Sequence, residues 1–179
     1  MIRFDDVTVA FGKTLALDSV DVEIGAGVTG VFGPNGSGKS TLLRAIAGLV
    51  TPLRGEVTID GRSTRTSTPE DRARLGYSGH TSGLYPRLTV EENLVLFSRL
   101  FDAPTERVEM LIEALDLTRA AGTRAASLSA GQKRRASVAR ALLHDPDLLL
   151  LDEPYANVDD AGSDSISSAI AAWAQPGRT

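Results

Sequence analysis

Three short clusters in this sequence carry side chains whose types and spacing suit chemistry on a phosphate. The first is GPNGSGKS, Gly33 to Ser40, which fits G-x-x-x-x-G-K-[ST]. Gly33, Gly36 and Gly38 lack a Cβ, so the backbone can turn through positive φ and approach a ligand closely. Main-chain N–H groups of such a loop converge on phosphate oxygens as an anion nest. Lys39 adds a full positive charge, and Ser40 offers a hydroxyl to a divalent cation. A pattern of this length arises by chance about one time in a hundred in a chain this size. An apolar segment before it and an apolar-periodic one after it make accident a poor explanation. The second cluster is LLLLDEP, Leu148 to Pro154, an apolar run ending in two acids. Asp152 is the candidate partner of Mg²⁺ opposite Ser40, and Glu153 stands where a carboxylate would polarise an attacking water. The third is LSAGQ, Leu128 to Gln132. Ser129 and Gln132 have capping-box spacing, and a serine at a helix N-terminus beside Gly131 is also a good phosphate ligand.

These clusters need elements to hold them. Val7, Val9 and Phe11 alternate with polar neighbours, as do Val20, Val22 and Ile24, which predicts short strands in the first 30 residues. Val28 to Phe32 is a further strand candidate leading into the glycine-rich loop. A helix is expected from Ser40 to Ala47, stopping near Gly48, then a strand from Gly55 to Ile59 closed by Asp60-Gly61. Residues 62 to 88 read as irregular. Thr89 and Glu92 have capping-box spacing at the start of a helix. Pro104 and Thr105 open a second helix through about Leu115, and a third runs from Ser129 to about Leu143. Leu148 to Leu151 reads as a buried parallel strand that delivers Asp152 to a sheet's C-terminal edge, where α/β sheets place ligands. A last helix spans Ser163 to about Trp173. The pattern predicts an α/β fold: a mixed sheet with an N-terminal antiparallel part and a helical insertion over about 89–128.

Composition narrows the field. The chain has 179 residues, 42% of them hydrophobic, a formal net charge of -4 and no cysteine. Cysteine nucleophiles, disulfides and thiolate metal sites are therefore excluded. With 19 basic and 23 acidic residues and no basic run, nothing points to nucleic acid as a partner. The acidic, alternating N-terminus does not read as a signal peptide. No apolar stretch approaches the roughly 20 residues that span a bilayer, so a role at a membrane requires a partner.

LSAGQKRRASVARALL, Leu128 to Leu143, resembles the signature motif (usually LSGGQ) and following basic helix of ABC ATPases. The order of phosphate loop, signature and acidic strand end is similar to that family too, across nearly the whole chain. The resemblance implies a P-loop NTPase fold of ABC type with ATP and Mg²⁺ as ligands. It places ATP on Gly33, Pro34, Asn35, Gly36, Ser37, Gly38, Lys39, Ser40 and Thr41, and Mg²⁺ on Ser40 and Asp152. Phe11 falls in the segment that carries the adenine-stacking aromatic, although a lone Phe also suits a core. Ser129, Ala130, Gly131 and Gln132 would contact ATP held by a second ABC ATPase domain, in a homodimer or heterodimer. Ala156 to Asp159 occupies the place of the D-loop, with Asp159 at its end. Catalysis falls to Glu153, with His80 standing in LGYSGHTSG where the family usually has Gln in a loop after a strand near Leu75 to Tyr77.

Gly79-His80 and the LSAGQ form are loosely similar to the haem-exporter (cytochrome c maturation) branch. The chain also stops where the family has a further strand and then a histidine that senses the γ-phosphate, so a single ABC domain over residues 1–179, truncated at its C-terminus, is expected. The leading reading is the cytoplasmic motor of a membrane transporter, peripheral on the inner face of the membrane. The loop from Thr81 to Asn93 would then dock on an integral membrane subunit. DNA-repair members carry a long coiled-coil insertion and translation members two ATPase domains; Lys39 and Ser129 are too close in sequence for the first, and one phosphate loop argues against the second. A nucleotide binder with little hydrolysis is the remaining alternative.

Overall fold

Alternating apolar residues at the N-terminus form a long hairpin, β1 (Ile2–Phe11) against β2 (Thr14–Ile24), in the computed structural model, which describes all residues from Met1 to Thr179. Ile2, Phe4, Val7 and Val9 point inward and are buried. The switch from even to odd positions has a local cause. Asp6 adopts φ 45°, and the strand register shifts between Phe4 and Val7. One extra residue at such a bulge moves every following side chain to the other face. The neighbouring β3 (Arg54–Ile59) follows the same bulge: a Cβ on Gly55, at φ +73°, would strike the carbonyl oxygens of Asp5 and Asp6. Asp60 and Gly61, at φ 50° and 77°, make the tight turn into β4 (Arg62–Ser63), as two left-handed residues require. The antiparallel sheet has the order β2-β1-β3-β4. Helix α1 (Lys39–Ile46) belongs to the same compact unit, Met1–Arg72 with Pro176–Thr179. It buries Thr41, Ala45 and Ile46 and ends at Ala47, with Gly48 at φ 67° just beyond.

Two expectations are corrected here. Val28 to Phe32 is not a strand: the segment joins neither sheet, and Val28 and Phe32 are 84% and 93% exposed. An apolar run becomes a strand only when another strand lies beside it to take its N–H and C=O groups. In this unit β1 and β3 already pair with one another. Residues 62 to 88 are also more ordered than their composition suggests. They contain β4, a 3-10 turn at Thr64–Thr66, α2 (Pro69–Ala73) and β5 (Leu75–Ser78).

The second compact unit, Ala73–Gln175, is built on a two-stranded parallel ladder of β5 and β6 (Leu148–Leu151). Around it lie α3 (Val90–Leu100), α4 (Glu106–Ala114), α5 (Ala130–Leu142) and α6 (Asp160–Trp173). Their apolar faces bury a single core that includes Leu94, Leu115, Leu117, Val138, Leu143 and Ile166. Both predicted capping boxes form, Thr89 with Glu92 and Ser129 with Gln132. Burying such a side chain is worth roughly 1.5–3 kcal/mol, so this core rather than helix propensity holds the unit. Asn93, fully buried, accepts from the Tyr85 N–H at 2.7 Å and donates to the Tyr85, Leu88 and Thr89 carbonyls, which fixes the loop before α3.

His144, just past α5, stacks on Phe101 with ring centroids 4.2 Å apart. Its Nε2 lies 3.2 Å from the Leu75 carbonyl, which can only accept, so Nε2–H donates. Burial holds its pKa below the ordinary histidine value of 6.5, and the nearby Arg140 and Arg107 add to the effect. The unfolded chain therefore binds the proton more readily, and stability is lost as pH falls below 6.5. His144→Phe should flatten this acid limb. Thermal midpoints of both proteins between pH 8 and pH 5 check it; parallel curves would remove His144 as the cause.

Candidate functional site

In the first unit the phosphate loop curls around its own lysine. Lys39 Nζ donates to the carbonyls of Gly33 and Pro34, both at 2.8 Å. Gly38 caps α1 with φ 94° and no side chain to occupy the helix end. The chain can make this turn only as glycine, because a Cβ there would collide with the Ala16 carbonyl of β2. Gly36, at φ +81°, has open space around the same position. Ser40 and Thr41 lie in the first turn of α1. A cation, the N-terminal end of a helix and closely approachable backbone thus occur together, which is the equipment for binding phosphate. Phe11, at the end of β1, is 51% exposed, so the core reading of this residue fails and its ring is accessible for stacking.

In the second unit the parallel register decides what meets what. Ser78 pairs with Leu151, and the Asp152 N–H donates to the Ser78 carbonyl at 2.8 Å. The two strands therefore leave the ladder together, one into Gly79-His80 and the other into Asp152-Glu153. Asp152 is 5% exposed, whereas His80 and Glu153 are exposed. Glu153 adopts φ 51°, a left-handed conformation that costs a residue with a Cβ roughly 1–3 kcal/mol. The turn is closed by the Ala156 N–H on the Glu153 carbonyl at 3.0 Å.

Ser129 heads α5, with Gln132 N donating to Ser129 Oγ at 3.1 Å and Ser129 N to Gln132 Oε1 at 2.9 Å. Both readings of Ser129 thus place it at a helix N-terminus. A Cβ on Gly131 would stand 3.1 Å from the Asn157 carbonyl, so glycine permits close approach of the segment leading to α6. Asn157 itself is left-handed at φ 59°, and Asp159 caps α6 by accepting from the Gly162 N–H at 3.0 Å. Ser129 to Gln132, Arg135, Asn157 and Asp159 line one open cavity of about 220 Å³.

Sequence reasoning missed the residues that hold this edge together. Arg134, buried, donates from one guanidinium nitrogen to the Gly79 carbonyl at 2.9 Å and the Asp152 carbonyl at 3.2 Å. Ser137 and Ser78 share a buried hydroxyl–hydroxyl bond of 2.8 Å, and Arg140 donates to the Tyr77 carbonyl at 2.6 Å. The available signal was periodic: Arg134, Ser137 and Arg140 recur at the three-residue spacing that keeps one helix face.

A family model described as ABC transporter matches residues 17–156. The chain is 35% identical to the Nod factor export ATP-binding protein I of Cupriavidus metallidurans, over 100% of its own length and 61% of that protein's. It is 38% identical to the glucose import ATP-binding protein GlcV of Saccharolobus solfataricus, over 89% of its length and 48% of that protein's. Among solved structures, a dimeric ATP-binding cassette in a post-hydrolysis state with ADP and Pi superposes with a TM-score of 0.80 at 29% identity, covering 95% of this chain and 81% of that one. The chain belongs to the ABC transporter family, as an ATP-binding domain with the mixed α/β fold of its cassettes. It spans about half to three-fifths of the length of these curated relatives. Both import and export proteins are among them, so the likeness does not select the haem-exporter branch.

Gly38→Ala should destabilise the first unit more than Gly36→Ala. The latter costs about 1–2 kcal/mol of left-handed strain; the former adds the collision with the Ala16 carbonyl, about 1–3 kcal/mol more. Denaturant melts of the two variants check this, and equal losses would show that the contact with β2 is unimportant.

Proposed function

We propose that this chain binds MgATP, hydrolyses it, and drives a membrane transporter by pairing with a second ABC ATPase domain. The observation that carries this reading is the parallel register from which the segments leading to His80 and to Asp152-Glu153 emerge side by side, in a chain whose Lys39 is already enclosed by a glycine-rich loop. Lys39 would exchange its two carbonyl bonds for the stronger charge-assisted bonds of phosphate. Phe11 would stack on the base. The Ser40 hydroxyl and the Asp152 carboxylate are each hard oxygen donors of the kind Mg²⁺ takes. No cluster of three or more His, Cys, Asp or Glu forms, so such an ion would take its other ligands from phosphate and water. When bound, the ion would neutralise charge on the phosphates. Glu153 would accept the proton of the attacking water, and His80 would orient that water from the adjoining loop.

Ser129 to Gln132 and Asp159 would face a nucleotide held by the second domain. That two domains are needed is supported by the dimeric ADP- and Pi-bound relative. No helix of the chain is long and apolar enough to cross a membrane. Coupling to transport therefore requires an integral membrane subunit, reached through the Thr81 to Asn93 loop, with this domain on the cytoplasmic side. The single-domain organisation inferred from the sequence, with its helical part over about 89–128, belongs to the same reading.

Lys39→Ala should weaken ATP binding at least tenfold, read by titration with a fluorescent analogue. Glu153→Gln should keep that affinity and lower turnover about a hundredfold or more, because the amide cannot take the proton. Unchanged hydrolysis in Glu153→Gln would reject Glu153 as the base; unchanged affinity in Lys39→Ala would reject the nucleotide site.

A further inference from the structure

α5 grips the end of β5 and the residue just past it, three in succession. Arg140, Ser137 and Arg134 recur every three positions along the helix. They bond in turn to the Tyr77 carbonyl, the Ser78 hydroxyl and the Gly79 carbonyl. The order is reversed, so the helix runs antiparallel to the strand. Its first turn, with Ser129, lies at the end where β5 and β6 release His80 and Asp152. Packing at the other end of the grip is tight: a Cβ on Gly76 would strike the Ala141 carbonyl. Helix and strand are therefore locked against sliding.

Arg134 is the member of this ladder that reaches both loops. It is 9% exposed, and its two hydrogen bonds go to main-chain carbonyls, Gly79 at 2.9 Å and Asp152 at 3.2 Å, rather than to a carboxylate. The cost of burying a cation offsets part of what its hydrogen bonds contribute, so such a residue is a weak argument for stability alone. Its geometry, in contrast, is specific. One nitrogen bridges the residue before His80 and the residue before Glu153.

We infer that Arg134 is a positioning residue, which couples the signature helix to the backbone carrying His80 and Glu153. The inference rests on the hydrolytic reading above. A ligand engaging Ser129 at the head of α5 would set the first turn of the helix, and Arg134, in the second, would pass that placement to both loops. The water-orienting and proton-accepting groups would then be aligned only when the signature is engaged. Arg134 touches none of the reacting atoms; it acts through the Gly79 and Asp152 carbonyls.

The test compares Arg134→Met and Arg134→Lys in the chain as it stands. Met keeps an unbranched side chain and donates nothing; Lys keeps a donor. Arg134→Met should retain ATP affinity within about twofold and stay folded at the assay temperature, while kcat falls tenfold or more and Arg134→Lys recovers part of the loss. Hydrogen exchange supplies a readout that needs no turnover. In Arg134→Met, peptides over Gly79–His80 and Asp152–Glu153 should both exchange at least threefold faster, with α3 unchanged. A wild-type kcat in Arg134→Met, a kcat loss that merely follows a lower midpoint, or unaltered exchange at both loops would overturn the proposal. Failure of the underlying reading looks different: wild type would not bind ATP, or would hydrolyse it no faster than Glu153→Gln.

Discussion

Because Leu75 lies opposite Leu148 and Ser78 opposite Leu151, the four pairs of a short parallel ladder determine which loops emerge side by side. A slip of one residue would turn Asp152 from a buried position to the face now occupied by Leu151, since side chains alternate along a strand. Two strands cannot hold such a register alone. The register is held by the helix laid against it. Gly76 brings the α5 backbone within contact, and Ser78 and Ser137 exchange a hydroxyl bond in a place water does not reach. Everything distinctive in the second unit follows from this packing, including the depth of Asp152 and the shared exit of the two loops.

The first unit solves a different problem, how to bring main chain close to an anion without a side chain intervening. Its solution is steric. Gly38 is left-handed and lies against the Ala16 carbonyl, so neither conformation nor space admits a Cβ. The antiparallel sheet matters here because β2 supplies the wall. The hairpin's bulge at Asp6, matched by Gly55 on β3, keeps that sheet twisted yet continuous.

Much of this was legible in the sequence, where local chemistry decides structure. Gly38, Gly48, the Asp60-Gly61 turn and the boxes at Thr89 and Ser129 act over a few residues, and helix α1 begins and ends within a residue of its expected limits. The run Leu148 to Leu151 read correctly because continuous apolar strands belong between layers. What remained hidden depends on partners distant in the chain. Val28 to Phe32 has the composition of a strand but no pairing neighbour. The strand near Leu75 to Tyr77, implied by the family resemblance but not by the composition of the 62–88 segment, forms because β6, some seventy residues later, pairs with it. Arg134 sits in the charged run Lys133-Arg134-Arg135, whose residue types do not announce burial, yet Arg134 and Arg135 are both buried on carbonyls.

The costs in the second unit are not spread evenly. Glu153 is held left-handed beside a buried Asp152, and Arg134 is buried with carbonyls as its partners. Asn157, also left-handed, stands by Gly131 at the head of the same helix. Left-handed residues also follow α3, α4 and α5, at Asp102, Asp116 and Asp145, where that conformation is a common way to end a helix, whereas Glu153 and Asn157 end none. Strain persists only where surrounding structure over-determines it. Here the surrounding structure is the core against which α5 and α6 pack, with Val138, Ile166 and Leu142 buried within it. A rigid core thus lets one edge of the ladder hold a carboxylate, a histidine and a helix head in conformations that isolated loops would abandon.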